Sequence, residues 1–345
     1  MEITIKGFEI ADLLHDGPDT LVCRARRSSD DLPVVVKVLK KDRPTLEDQL
    51  QFRREYEISK GLLIDGVIHT YGIGEYRNTL YILFEDFRGE PLSHIISSGD
   101  TDLQEYLMFS IRLCSILDQL HRNKIIHRDI NPSNILWNRT TNQVRIIDFG
   151  IAVYLDGPDV EPVSPDVLKG TLSYISPEQT GRMNCALDHR TDLYSLGITL
   201  YELFTGTLPF TADDAMEMIH CHMAKTARPA CSVNPEIPEM VSDILAKLMS
   251  KRADDRYQSA YGLRYDLETC MVQLNSQGRI RRFELGKHDA PAMLQIPDKL
   301  YGREQEILAM HSAFDRVCEG AIEMVLVSGY AGIGKTALVS EISET

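Results

Sequence analysis

Apolar and polar residues follow a short-period pattern at the start of the chain. Phe8 to Leu14, Leu21 to Arg26 and Val34 to Leu39 are brief runs rich in β-branched residues, and polar clusters such as His15-Asp16-Gly17-Pro18-Asp19 break them. Such runs predict strands joined by turns. A helical segment is expected over Leu46 to Leu62, and Leu80 to Phe84 reads as another strand. After Asp102 the spacing lengthens: Leu107, Ile111, Leu113, Leu117 and Leu120 fall on one face of a helix. Helical patterns return over Asp192 to Thr205 and Val241 to Leu248. The pattern predicts an α+β architecture of two lobes, β-rich first and helical second.

From Gln273 to Pro297 the periodicity fades, and Asn, Ser, Gly, Pro and the arginines Arg279, Arg281 and Arg282 take over, as in a solvated linker. A helix over Glu304 to Cys318 is expected next, ahead of the apolar run Met324-Val325-Leu326-Val327-Ser328. With 345 residues the chain is longer than one ordinary domain.

Charge restricts the partners. Lys+Arg number 37 against 51 Asp+Glu, a net charge of -14. Such a surface repels phosphate backbones and anionic lipid heads, so neither nucleic acid binding nor membrane insertion is expected. Any phosphate must be held by local donors and metal. The seven cysteines are scattered without a Cys-x-x-Cys pair. That usage fits a reducing, cytoplasmic setting better than a disulfide framework. His220-Cys221-His222 is no metal site on this reading, because helical neighbours two residues apart diverge.

The chemistry concentrates in His127-Arg128-Asp129-Ile130-Asn131-Pro132-Ser133-Asn134, followed by Asp148-Phe149-Gly150. These resemble the catalytic loop and magnesium-binding motif of eukaryotic-type Ser/Thr protein kinases, in order and separation. Phosphoryl transfer spreads negative charge over the phosphate oxygens, so an enzyme mainly positions groups and neutralises charge. Asp129 suits the role of base. Asn134 and Asp148 are hard oxygen ligands suited to Mg²⁺. The resemblance extends to Val34-Val35-Val36-Lys37, the strand of the phosphate-binding lysine. It implies that Glu55 pairs with Lys37, that Phe84 is gatekeeper, and that Asp192 anchors the catalytic loop. It also implies that Leu14, Gly17, Val22, Val35, Glu85, Phe87 and Leu136 surround the ATP. Gly170-Thr171 and Ser176-Pro177-Glu178 resemble the end of an activation segment, with Ser164, Thr171 and Ser173 as candidate phosphate acceptors and Arg256 as the ion-pair partner of Glu178.

Three features depart from that pattern. His15 and Thr20 replace glycines of the phosphate-covering loop, Asn131 stands where Ser/Thr kinases usually carry lysine, and Val35 replaces an alanine beside adenine. The alternative they raise is an ATP-binding pseudokinase that regulates attached domains.

A second nucleotide motif closes the chain. Gly329-Tyr330-Ala331-Gly332-Ile333-Gly334-Lys335-Thr336 fits the P-loop pattern. In such a loop backbone amides wrap phosphates, Lys335 reaches the terminal ones and Thr336 holds Mg²⁺. Tyr301-Gly302-Arg303-Glu304 resembles the lead-in of AAA/STAND ATPase domains. With Tyr174 to Asn184, the whole is similar to the front of large bacterial signalling proteins that join a Ser/Thr kinase, an AAA/STAND ATPase, a GAF sensor and a histidine kinase. The expected division is a kinase domain over 1–272 with lobes meeting near 87, a linker over 273–299, and the truncated start of a P-loop ATPase over 300–345. The expected ligands are ATP, Mg²⁺ and a protein bearing Ser/Thr hydroxyls, with the remaining domains of the parent protein as partners.

Overall fold

The computed structural model describes residues 5–41, 44–99, 102–155, 172–182, 187–290, 303–318, 320, 322–330 and 335–340. Strands β1 (Phe8–Asp16), β2 (Thr20–Arg27) and β3 (Leu32–Leu39) precede helix α1 (Leu46–Lys60), and β4 (Thr70–Tyr76) and β5 (Thr79–Glu85) complete the first lobe. They form one antiparallel sheet in the order β1-β2-β3-β5-β4. On β3, Val34, Val36 and Val38 are buried on one face, while Val35 and Lys37 look the other way. That alternation aims the lysine at the cleft. Thr45 opens α1 with a capping box: its hydroxyl accepts from the Asp48 amide and the Asp48 carboxylate accepts from its own. Phe52, Glu55 and Ile58 then share the buried face.

The second lobe begins with β6 (Glu90–Pro91), α2 (Leu92–Ser98), α3 (Leu103–Arg122) and β7 (Ile125–Ile126). A 3₁₀ turn, Pro132–Asn134, leads into the hairpin of β8 (Ile135–Asn138) and β9 (Gln143–Ile146), and β10 (Val153–Tyr154) pairs with β7. Helices α4 (Arg190–Thr205), α5 (Ala215–Ala224), α6 (Ala230–Val233), α7 (Glu239–Leu248) and α8 (Ala260–Gln277) complete it. One apolar core runs through α3, α4, α7 and α8. The lobes are joined behind α1, where Ile146 donates to the Gly66 carbonyl and accepts from the Ile68 amide.

The expected break after residue 272 falls inside α8, which continues to Gln277. Beyond it the chain stays on the second lobe, with Ile280, Phe283 and Leu285 packed against the core. Asp289 accepts from the Gln258 amide at 2.6 Å and the Ser259 hydroxyl at 2.8 Å. Gly286 donates to Asp266 at 2.8 Å. Arg282 reaches Glu239 at 3.2 Å in an ion pair exposed to solvent. Apolar residues two and three positions apart in an irregular strap have no periodicity to read, so the sequence pattern resembles a linker. Farther on, α9 (Glu304–Cys318) forms as expected and α10 (Lys335–Ser340) is short. The apolar run 322–328 forms no strand ladder among the described residues, and Met324 and Leu326 are exposed.

A Cβ on Gly262, in the first turn of α8, would come 2.3 Å from Asp289 Oδ1. Gly262→Ala should therefore lower stability by about 1–3 kcal/mol through overpacking, read as a reduced denaturant midpoint. A free strap would give the opposite sign, since alanine is the better helix former.

Candidate active site

Lys37, Glu55 and Asp148 come together from three elements. Lys37 Nζ lies 2.8 and 2.9 Å from the Glu55 carboxylate oxygens and 3.0 Å from Asp148 Oδ1. The lysine comes from β3, the glutamate from the inner face of α1, and Asp148 from just beyond β9. The two carboxylates outweigh the cost of burying the ammonium and push its pKa up. Burial pushes Glu55 up to about 7 and the nearby Asp148 charge adds to it, while Lys37 pulls the other way. Desolvation also works against Asp148, but Lys37 and the Gly150 amide hold it below the usual carboxylate range. Of the two acids Glu55 is the interior one; the Asp148 side chain is 41% exposed at the cleft. Phe149 is turned inward, its ring against His127 at 4.8 Å.

Asp129, Asn131 and Asn134 form the second group. Asn134 Nδ2 donates to Asp129 Oδ2 at 2.7 Å, and Asn131 Nδ2 donates to Asp129 Oδ1 at 2.9 Å. The Ile147 amide donates to the Asn134 carbonyl at 2.9 Å. That bond sets Asn134 beside the residue preceding Asp148, so the two expected metal ligands meet where the β8–β9 hairpin begins and ends. The expected ligands fit a hard cation: Asn134 turns its amide nitrogen to Asp129, and Asp148 accepts from Lys37 and the Gly150 amide through Oδ1, so each retains an oxygen.

Both groups rest on strained backbone. Arg128 and Asp148 adopt left-handed φ of 68° and 64°, a conformation costing each about 1–3 kcal/mol. Asp192, at the start of α4, offsets this by accepting from the amides of His127 and Arg128 at 2.9 and 2.8 Å. His121 Nε2 meets the same carboxylate at 2.9 Å. Despite burial, these donors keep Asp192 ionised below the usual range. Gln179 Nε2 adds a bond to the Arg128 carbonyl at 2.8 Å. His121 and Gln179 carry no motif of their own; burial of a polar side chain is the only sign of their role, and burial is a tertiary property.

Of the residues expected around ATP, Val22, Val35, Phe84 and Glu85 lie on β2, β3 and β5, Phe87 just beyond β5, and Leu136 on β8. Val22 opposes Lys37 and Val35 opposes Phe84 in the sheet register. Phe84, Val35 and Phe87 belong to one cluster with Ile147. Glu85 uses its side chain elsewhere, accepting from Arg145 at 3.0 Å and the His69 amide at 3.1 Å. Leu14 falls in a register shift of β1 and is 45% exposed. Gly17 donates its amide to the Thr20 carbonyl at 2.9 Å, closing the hairpin, and a Cβ there would meet the His15 ring. Lys40 pairs with Asp16 and Lys41 with Asp19, so the tip is fixed by ion pairs where glycines would leave it free.

Glu178 and Arg256 form a bidentate pair at 2.6 and 2.9 Å, buried in the second lobe. Ser164, Gly170 and Thr171 lie outside the described residues. Burial, with the Arg54 charge nearby, lowers Arg128 to about 10. His222 is buried against the Tyr194 hydroxyl at 3.0 Å. In the P-loop, Lys335 Nζ donates to the carbonyls of Gly329 and Tyr330 at 3.0 and 2.8 Å. Gly334 and the Thr336 side chain lie outside the described residues.

Comparison with known proteins adds an independent finding. Residues 8–265 match the "Protein kinase domain" family and residues 299–345 the "AAA ATPase domain" family. The chain is 31% identical to hybrid signal transduction histidine kinase G of Dictyostelium discoideum, over 70% of this chain and 10% of that protein. It is 32% identical to "Probable serine/threonine-protein kinase" of Clostridium perfringens, over 76% of this chain and 38% of the relative. Serine/threonine-protein kinase PrkC of Bacillus subtilis is 32% identical over 69% of this chain and 36% of its own length. The chain thus spans well under half of each of these relatives.

Arg256→Ala would strand the buried Glu178 carboxylate and should cost about 3–5 kcal/mol, seen as a large fall in unfolding midpoint. Arg282→Ala, whose pairs lie in solvent, should leave the midpoint close to unchanged.

Proposed function

We propose, from the premise that this chain belongs to the protein kinase family, that it transfers the γ-phosphate of ATP to serine or threonine hydroxyls of a protein. One observation carries the reading: Lys37, Glu55 and Asp148 are joined at 3.0 Å or less, in the same cleft as an Asp129 whose carboxylate is held by Asn134. Lys37 is placed to hold ATP phosphates, and Glu55 keeps its amine from folding away. Leu14, Val22, Val35, Phe84, the hinge at Glu85 to Phe87, and Leu136 would enclose adenine, with Gly17 near the phosphates. Asn134 and Asp148 would hold Mg²⁺, which supplies neutralisation of phosphate charge. Asp129 accepts the hydroxyl proton as the new O–P bond forms and the bond to the leaving ADP oxygen breaks.

Residues from about 300 are proposed to open a P-loop ATPase module, with Gly329, Gly334, Lys335 and Thr336 as its phosphate site. Further domains of a longer signalling protein are the proposed partners, and the kinase unit is taken to include the strap to Asp289. Among the described residues no helix is long and apolar enough to cross a membrane. A cytoplasmic setting is proposed from the described cysteines, all of them free.

Radiolabel from γ-labelled ATP should appear on the protein or on a generic acceptor, and chelating Mg²⁺ should abolish it. Asp129→Asn should reduce transfer by about 10²–10⁴-fold, and Lys37→Met should reduce it strongly as well. Equal labelling by wild type and Asp129→Asn would leave the chain as a nucleotide-binding regulator.

A further inference from the structure

Asn131 stands where a lysine would bring a cation to the site, and its surroundings give it a different task. The residue is 5% exposed. Its Nδ2 donates to Asp129 Oδ1 at 2.9 Å and to the Asp129 carbonyl at 3.2 Å. Its Oδ1 accepts from the Ser133 amide at 2.9 Å, capping the turn Pro132–Asn134. The amide cannot be reversed: flipping it would set oxygen against the Asp129 carboxylate and N–H₂ against the Ser133 N–H. Asn134 mirrors the arrangement, donating to Asp129 Oδ2 at 2.7 Å and to the same carbonyl at 3.0 Å. Each carboxylate oxygen of the base is therefore met by a neutral amide. The two amides come from residues two and five positions on, both locked by the one 3₁₀ turn.

We infer that Asn131 is a positioning residue for phosphoryl transfer, fixing the plane of the Asp129 carboxylate through a neutral donor while its oxygen secures the turn that carries Asn134. The inference rests on Asp129 acting as the base. A carboxylate free to rotate about its last bond presents its lone pairs to the incoming hydroxyl only part of the time, whereas one gripped at both oxygens is preorganised. A neutral donor achieves this without the added attraction of a cation, which would favour the ionised base and weaken its pull on a proton.

The two functions of the side chain can be separated by substitution. Asn131→Asp keeps the oxygen that caps the turn but turns a second oxygen toward Asp129. Asn131→Lys gives up the cap and retains a donor. In steady-state assays with ATP and a Ser/Thr acceptor, Asn131→Asp should lower kcat by about 10²-fold with KM for ATP within about twofold, and its unfolding midpoint should fall too, because a second carboxylate is buried against Asp129. Asn131→Lys should recover kcat to within about 10-fold of wild type even though its midpoint falls. Wild-type kcat in Asn131→Asp, with Asn131→Lys the impaired variant, would assign the residue to the cap alone and overturn the inference. Transfer that survives Asp129→Asn would instead overturn the assignment of the base, and the inference with it.

Discussion

The ion cluster of Lys37, Glu55 and Asp148 is the interaction on which the arrangement of the cleft depends. Each member comes from a different element, and one of them, Asp148, belongs to the second lobe, so the cluster exists only when sheet, helix and hairpin are in register. Burying a charge costs several kcal/mol unless it is paired with good geometry. Glu55 is 3% exposed, and Lys37 is the cation that offsets that cost. An α1 displaced from the sheet would leave lysine and glutamate each seeking water. The packed position of the helix and the readiness of the amine for phosphate are thus one equilibrium.

Asp192 plays the matching part in the lower lobe. Its carboxylate is buried at the head of α4 and receives three donors, two of them backbone amides of the catalytic loop. This accounts for a loop that holds Arg128 in a left-handed conformation without collapsing. The Glu178–Arg256 pair ties the end of the activation segment to the same lobe, since Arg256 also donates to the carbonyls of Arg190, Ser250 and Lys251. From Arg256 the chain runs directly into Gln258, whose amide bonds Asp289 of the strap. The segment leading toward the P-loop module is thereby in hydrogen-bonded continuity with the end of the activation segment.

The hairpin over the cleft shows how one fold can solve a local problem with different residues. Glycines usually let this loop approach phosphate, at an entropic cost. Here Lys40 and Lys41 fix the tip through Asp16 and Asp19, and the Gly17–Thr20 bond closes the turn. Gly17 survives where a Cβ would strike the His15 ring. His15 and Thr20 thus stand in a hairpin whose tip is held by side-chain ion pairs, while Asn131, the departure in the catalytic loop, bonds Asp129 directly.

The strands over 8–39, the helix from 46 and the long helix after 102 were legible because alternation and three-to-four spacing follow directly from backbone geometry. Strand β4 was not, since Gly72, Gly74 and Glu75 interrupt its apolar pattern and its pairing with β5 supplies what its composition lacks. The proposed reacting groups were legible for a chemical reason: phosphoryl transfer needs particular oxygens and an amine, and few residue types supply them. The sequence by itself determined the inventory of groups, Lys37, Glu55, Asp129, Asn134 and Asp148, and the order in which they occur. Tertiary structure alone decided that Asn131 would grip the base, that His121 and Gln179 would brace the loop, and that residues 279–289 would dock instead of linking. Those outcomes depend on which polar atoms are buried opposite one another, and hydrogen-bond partners far apart in the chain leave no local pattern from which to read them.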